Sequence, residues 1–205
     1  MSKRSGKFIV FEGIEGAGAE TQANLLMDFL KKNKKKVQKL EYPDYKGPIG
    51  RLIHQFLHQR YDFSPESQFL LYFTDFLKDR EKIKQWLKED RIIISDRYFS
   101  SALAYQVLRG FSIKKALKMA RIFEIPKPDF ILYLRVSPET SMKRKLKEKK
   151  NLDRNERDEN LLGQVLVAYE KLIKKKVFSK WIVINGEKSK REVSRDITRH
   201  LNYEI

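Results

Sequence analysis

Two short runs, "RIIISD" at 91–96 and "FILYLRV" at 130–136, are almost continuous in apolar residues and flanked by long stretches of helical periodicity. A strand with no polar alternation is buried on both faces, and that requires a sheet covered by helices on each side. Three further β-branched runs, "KFIVFE" (7–12), "KVQKLEY" (36–42) and "WIVIN" (181–185), bring the expected number of strands to five. Helical patterns lie between them at 21–34, 49–58, 65–88, 100–108, 113–123, 138–150, 156–176 and 190–201. Ser64-Pro65 and Ser137-Pro138 mark two of the starts, each a capping hydroxyl followed by proline at the first helical position. The alternation of strand and helix predicts an α/β fold: a doubly wound, five-stranded parallel sheet with ligands at the carboxyl ends of its strands.

The 205 residues are 41% hydrophobic, enough for one sizeable core, so a single unit over 1–205 is expected. With no cysteine there is no disulfide or thiolate metal site. His54 and His58 stand four apart on a helical stretch but have no acidic companions, which argues against a metal site there. No apolar run approaches the roughly 18–20 residues of a membrane helix. "MSKRSGKFIVFEG" passes from charges straight into a strand, so the expected setting is cytoplasmic, without a membrane. The net charge of +17 favours anionic ligands, although the lysines of "KKNKKKVQK" (31–39) suit a helix C-terminus and solvent equally well. No nucleic-acid-binding motif accompanies the charge, and nucleic acid is not the expected partner.

"FEGIEGAGAETQ" (11–22) follows the first strand and opens a helix. Gly13, Gly16 and Gly18 permit a turn whose N–H groups point at an anion, and the helix adds the positive end of its dipole. A full phosphate loop also needs a lysine and an adjacent hydroxyl, where this chain has Ala19 and Glu20 followed by Thr21. Taken alone, the stretch reads either as a phosphate loop or as a strand-to-helix turn that needs glycine for packing. Asp96 and Arg97 end the third strand, where an aspartate can hold Mg²⁺ through water and an arginine can clamp a phosphate; a surface ion pair is the plainer alternative. The segment 142–160, "MKRKLKEKKNLDRNERDEN", reads as a solvated connection or as a basic lid over phosphates.

In order along the chain, "FIVFEGIEGAGAETQ", "YPDYKGPIGRLI", "QFLLYFTD", "SDRYFSSALAYQ", "PKPDFILYL", "LDRNE" and "WIVINGEKSKREV" together resemble thymidylate kinase from about residue 6 to 198. The resemblance implies a P-loop NTPase-type three-layer fold, usually dimeric, that transfers a phosphoryl group from Mg²⁺-ATP to dTMP. It implies that Gly13 to Thr21 face the ATP phosphates and that Glu15 lies near the sugar 3′-hydroxyl. Asp96 would be the metal-associated carboxylate, acting through water, and Arg97 a phosphate clamp. Tyr72 would stack on thymine, with Tyr105 and Gln106 beside sugar and base. Arg144, Lys147 and Arg154 would belong to the lid, Arg154 as a catalytic cation, and the loop after Asn185 would lie on the adenine side.

The chain departs from that pattern where charge matters most. Ala19 and Glu20 replace the lysine and the first hydroxyl, Tyr45 and Phe76 stand where relatives have arginines, and Arg135 and Ser137 where acidic residues are common. Loss of one transition-state cation costs on the order of 10²–10³ in rate, roughly 3–4 kcal/mol. Weak or absent transfer is therefore expected, unless lid cations substitute or Glu20 itself coordinates Mg²⁺. The alternative is an inactive homologue that binds nucleotides or a partner.

Overall fold

The computed structural model describes residues 6–148, 153–156 and 158–201. Five strands, β1 (Lys7–Glu12), β2 (Val37–Glu41), β3 (Ile92–Asp96), β4 (Phe130–Arg135) and β5 (Lys180–Asn185), form one sheet in the order β2-β3-β1-β4-β5. Every pairing is parallel, and β1 lies at the centre with Phe11 level with Asp96 on one side and Leu132 on the other. All five expected strands are present, within one residue at their ends.

Among the described residues there are nine helices: α1 (Ala19–Lys32), α2 (Pro48–Leu57), α3 (Pro65–Leu77), α4 (Arg80–Lys88), α5 (Phe99–Leu108), α6 (Ile113–Ile122), α7 (Pro138–Glu148), α8 (Glu159–Lys174) and α9 (Lys190–Leu201). Helices α1 and α9 pack together on the sheet, while α3, α5 and α8 pack side by side. The side chain of Glu12 on β1 reaches α5 and α8, which fixes the face that those helices cover. Between α3, α5 and the sheet lies an aromatic core that includes Phe69, Phe73, Phe76, Tyr98 and Phe99, each at most 2% exposed. Phe69 stacks on Phe111 with ring centroids 4.1 Å apart.

Two expected boundaries are corrected. The helical pattern over 65–88 is two helices, because Asp79 leaves helical dihedrals (φ −95°, ψ 2°) and its carboxylate accepts from Tyr42 Oη at 3.0 Å. The stretch expected over 156–176 becomes helical at Glu159, where the Asp158 carboxylate caps the Leu161 N–H at 3.0 Å. Glu156 instead closes a turn by accepting from the Asp153 N–H at 2.9 Å. Both serine caps form, Ser64 on the Ser67 N–H and Ser137 on the Thr140 N–H. Residues 149–152 and 157 of the expected lid lie outside the described residues. Among the described residues no helix is long and apolar enough to cross a membrane.

Candidate active site

At the carboxyl end of β1 the chain turns through the glycine loop into α1. Gly16 (φ 72°) and Gly18 (φ 91°) adopt the left-handed region, which a side chain disfavours. At Gly16 space forbids one as well, since a Cβ would sit 2.7 Å from the Ser141 carbonyl. No side chain caps α1, so its first-turn N–H groups and the positive end of its dipole are left for an anion. Helix α7 is docked against the loop: Ser141 Oγ donates to the Glu15 carbonyl, and Arg144 to those of Gly16 and Ala17 at 3.4 Å and Gly186 at 2.9 Å.

Behind the loop, Glu12 is fully buried and its carboxylate collects five donors. The Tyr98 N–H (3.1 Å), Ser100 Oγ (2.6 Å) and Ser101 N–H (3.1 Å) reach one oxygen, while Ser101 Oγ (2.5 Å) and Tyr169 Oη (2.7 Å) reach the other. Burial raises its pKa, against the lowering effect of Arg97 and the three hydroxyls. The glutamate thus ties the end of β1 to the start of α5, the segment that carries Arg97. Arg97 itself has φ 63°, and its guanidinium spans two groups of the loop: NH2 meets Glu15 at 2.8 Å and NH1 donates to the Gly13 carbonyl at 3.0 Å. Tyr105 lies beneath, its ring centroid 5.9 Å from the guanidinium carbon and its hydroxyl donating to Glu15 at 3.4 Å.

These residues open on a cleft of about 270 Å³ lined by Glu15 to Thr21, Asp96, Arg97, Tyr72, Tyr105 and Gln106, among others. Asp96 is 9% exposed, and no hydrogen bond or ion pair among the described residues holds its carboxylate. Burial pushes its pKa up to about 7, with Glu41, Glu20 and Glu12 adding repulsion and Arg97 opposing. A buried carboxylate without a protein partner, facing a cleft beside Glu20 and Thr21, fits a hydrated divalent cation. Among the described residues no group of three His, Cys, Asp or Glu side chains is arranged to hold a metal ion by itself. The donor set therefore suits an ion that arrives with phosphate oxygens and water.

Most of the expected site residues converge here: Glu15, Gly16, Gly18, Ala19, Glu20, Thr21, Tyr72, Asp96, Arg97, Tyr105 and Gln106 all line the one cleft. Gly13 contributes its carbonyl to Arg97 instead. Two expected residues are placed elsewhere. Phe76 does not line the cleft; it is buried behind Tyr42, ring centroids 5.1 Å apart, because a phenylalanine on that face of α3 gains more from the aromatic core. Arg154 does not line it either: its guanidinium lies 4.3 Å from the centroid of Phe56 and 2.8 Å from Asp62. Tyr45 lines the cleft, edge-on to His54, and Arg135 forms a two-pronged ion pair with Glu170 at 2.8 Å.

Lys145, Glu148, Asp153, Asn155 and Glu156 also line the cleft; the sequence named none of them as a site residue, although the last three belong to the quoted run "LDRNE". The signal was present for the first two. From a helix start at Pro138, positions 141, 145 and 148 fall on one face, so whatever docks Ser141 on the loop brings Lys145 to it.

A parallel sheet whose central strand runs through a glycine loop into an uncapped helix, with Asp-Arg on the adjacent strand tip, defines an α/β nucleotide-phosphate-binding protein of the P-loop kind. More narrowly, the chain belongs to the thymidylate kinase family, whose sequence model matches residues 11–197. It is 34% identical over 200 residues to a probable thymidylate kinase of Methanococcus aeolicus, covering 95% of each chain. A thymidylate kinase of Dictyostelium discoideum is 32% identical over 201 residues, 97% of this chain and 85% of that protein. One from Thermoanaerobacter is 33% identical over 198 residues, 94% of this chain and 95% of that protein.

Proposed function

We propose that the chain transfers the γ-phosphoryl group of Mg²⁺-ATP to dTMP, giving ADP and dTDP, at a turnover well below that of a kinase with a complete loop. The observation that carries this reading is the fixed guanidinium of Arg97, held by Glu15 and the Gly13 carbonyl beside Asp96. An oxygen of the dTMP phosphate forms the new bond to the γ-phosphorus as the bridging P–O bond breaks, its electron pair leaving on the β-phosphate of ADP. Arg97 draws the acceptor phosphate into line, and the first-turn N–H groups of α1 bind the donor phosphates. When bound with ATP, Mg²⁺ would supply charge neutralisation to the donor phosphates; Asp96 would hold it through water, and Glu20, standing where the hydroxyl is missing, would be its direct ligand. Tyr72 offers its ring to the base, and Gln106 a buried amide. The proposed working unit is a homodimer, and its proposed setting is the cytoplasm.

A second reading is favoured by one observation. Seven carboxylates, Glu15, Glu20, Glu41, Asp96, Glu148, Asp153 and Glu156, line the cleft against two cations, Arg97 and Lys145. Such a balance repels polyphosphate, and the chain would then be an inactive homologue that retains the fold to bind a nucleotide or a partner. Coupled measurement of ADP formation with dTMP and other monophosphates separates the two: dTMP-dependent ADP above background supports transfer, and binding of dTMP without any turnover supports the second.

A further inference from the structure

We propose that Lys145 of α7 supplies, from outside the glycine loop, the phosphate-directed cation that the loop itself lacks at Ala19. The proposal rests on the reading of the cleft as a phosphoryl-transfer site and assigns one of its working residues.

Three observations support it. Among the described residues that line the cleft, the cations are Arg97 and Lys145 alone. Arg97 is committed to Glu15 and the Gly13 carbonyl, which places it at the acceptor side of the loop and leaves the donor phosphates without a side-chain cation. Lys145 is built against the loop: its Cγ lies 3.3 Å from where a Cβ on Gly16 would stand, so the side chain leaves α7 beside the turn, and it lines the cleft. Its backbone position is fixed by its neighbours, because Ser141 and Arg144 both donate to carbonyls of the loop. A cation on a helix clamped to the loop has the preorganisation that one on a swinging segment lacks.

The charge around Nζ gives the mechanism its second half. Nζ lies 2.9 Å from Glu148 and 3.4 Å from Glu156, with the side chain 19% exposed. Glu148 and Glu156 hold the ammonium at the rim of the cleft. A triphosphate carries more negative charge than either carboxylate, so its β- and γ-oxygens draw the ammonium inward by rotation about the last side-chain bonds. No bond is made or broken at Lys145; it stays protonated and stabilises charge on the migrating group.

The test compares the full chain with Lys145→Met, Lys145→Arg, Lys145→Met combined with Ala19→Lys, and Lys143→Ala as a control on the exposed face of α7. Two quantities are read: transfer from Mg²⁺-ATP to dTMP, and affinity for a Mg²⁺-bound non-hydrolysable ATP analogue. Lys145→Met is expected to lower kcat by about 100-fold while KM for dTMP changes by less than about threefold. Lys145→Arg retains part of the rate, Ala19→Lys restores the rate lost in Lys145→Met, and Lys143→Ala matches the unaltered chain. Restoration by Ala19→Lys also shows that the doubly substituted protein is folded. If Lys145→Met turns over within about twofold of the unaltered chain, the assignment is overturned and the kinase reading stands. If the unaltered chain transfers nothing, the kinase reading fails and the analogue decides. A loss of about tenfold in its affinity on Lys145→Met upholds the assignment, and unchanged affinity overturns it.

Discussion

Arg97 NH2 meets Glu15 at 2.8 Å while NH1 of the same guanidinium donates to the Gly13 carbonyl at 3.0 Å, so the arginine on the tip of β3 is bolted to the loop that leaves β1. Two donors at a fixed separation are required, and lysine offers a single point charge. Arg97→Lys should therefore behave almost as Arg97→Gln, both lowering transfer to dTMP by about 10²–10³. Glu15→Gln keeps an acceptor for Arg97 and should cost less. Steady-state kinetics on the three variants check the order; a lysine variant close to the unaltered rate would mean that charge alone, without the fork, suffices.

The loop itself makes the next prediction. Ala19 and Glu20 begin α1, facing the cleft, and Glu20 adds to the repulsion felt by Asp96. Ala19→Lys with Glu20→Thr restores a cation and a hydroxyl and removes a negative charge. Turnover should rise by about 10² or more if the rest of the site is a kinase. An unchanged rate, with the protein folded by circular dichroism, would mean that the pocket has been rebuilt around another task.

Asp96 predicts a stability effect with a definite sign. Its pKa is raised by burial from 3.8 to about 7, so between those values the folded state holds a proton that the unfolded state has lost. Stability then falls as pH rises from about 4 to 7, and the penalty is complete above that, on the order of 2–4 kcal/mol. Asp96→Asn removes the penalty: with a chelator present, it should unfold at higher urea than the unaltered protein at pH 8 and at nearly equal urea at pH 4. Destabilisation by Asp96→Asn at pH 8 would show instead that Arg97 outweighs burial. The same substitution should lower transfer, since the residue kept at a cost to stability is the one that would hold Mg²⁺ through water in the proposed reaction.

The sheet was legible in the sequence because strands buried on both faces leave an unbroken apolar signature, as Ile92 to Ile94 and Phe130 to Leu134 do. The loop, Asp96, Arg97, Tyr105 and Gln106 were legible because they lie on strand ends and first helical turns, where topology alone fixes position. Phe76 and Arg154 were misplaced for a common physical reason. Each was located by its place in a motif, and a side chain goes where its free energy is lowest, Phe76 into the aromatic core and Arg154 onto Phe56 and Asp62. The break at Asp79 depended on Tyr42, 37 residues away, which no local pattern reports. Lys145 was hidden in a run of like charges, where composition says basic but only the docked face of α7 says which lysine.

Beside Tyr72 in the cleft, Gln106 is 3% exposed, and its Oε1 has no hydrogen-bond partner among the described residues. A buried acceptor without a partner is costly unless a ligand satisfies it. Gln106→Leu should raise KM for dTMP by about tenfold or more with a smaller change in kcat, and Tyr72→Ala should do likewise through loss of a stacking face. Comparison of dTMP with other pyrimidine monophosphates on Gln106→Leu checks whether the amide reads the base. An equal loss for all of them would place it against the sugar.

Glu12 carries the last prediction, because it separates a charge from a shape. Its two oxygens accept from Tyr98, Ser100, Ser101 and Tyr169, and burial raises its pKa despite those donors and Arg97. Glu12→Gln keeps the acceptor oxygen for the first set of donors and lets Ser101 Oγ or Tyr169 Oη turn to accept from the new amide. It also removes the cost of a buried charge. With the folded pKa above the unfolded one, that cost grows as pH rises past the ordinary carboxylate range, so the glutamine variant should show a flatter dependence of stability on pH. Glu12→Ala strands several buried donors at once and should lose on the order of 3 kcal/mol or more at any pH. Urea unfolding across pH checks both. The site responds in parallel: α5 and Arg97 are positioned by shape, so Glu12→Gln should keep most of the transfer rate and the KM for dTMP. Should Glu12→Gln instead lose rate as far as Arg97→Gln while remaining folded, the charge on Glu12, acting through Arg97, is part of the electrostatics of transfer.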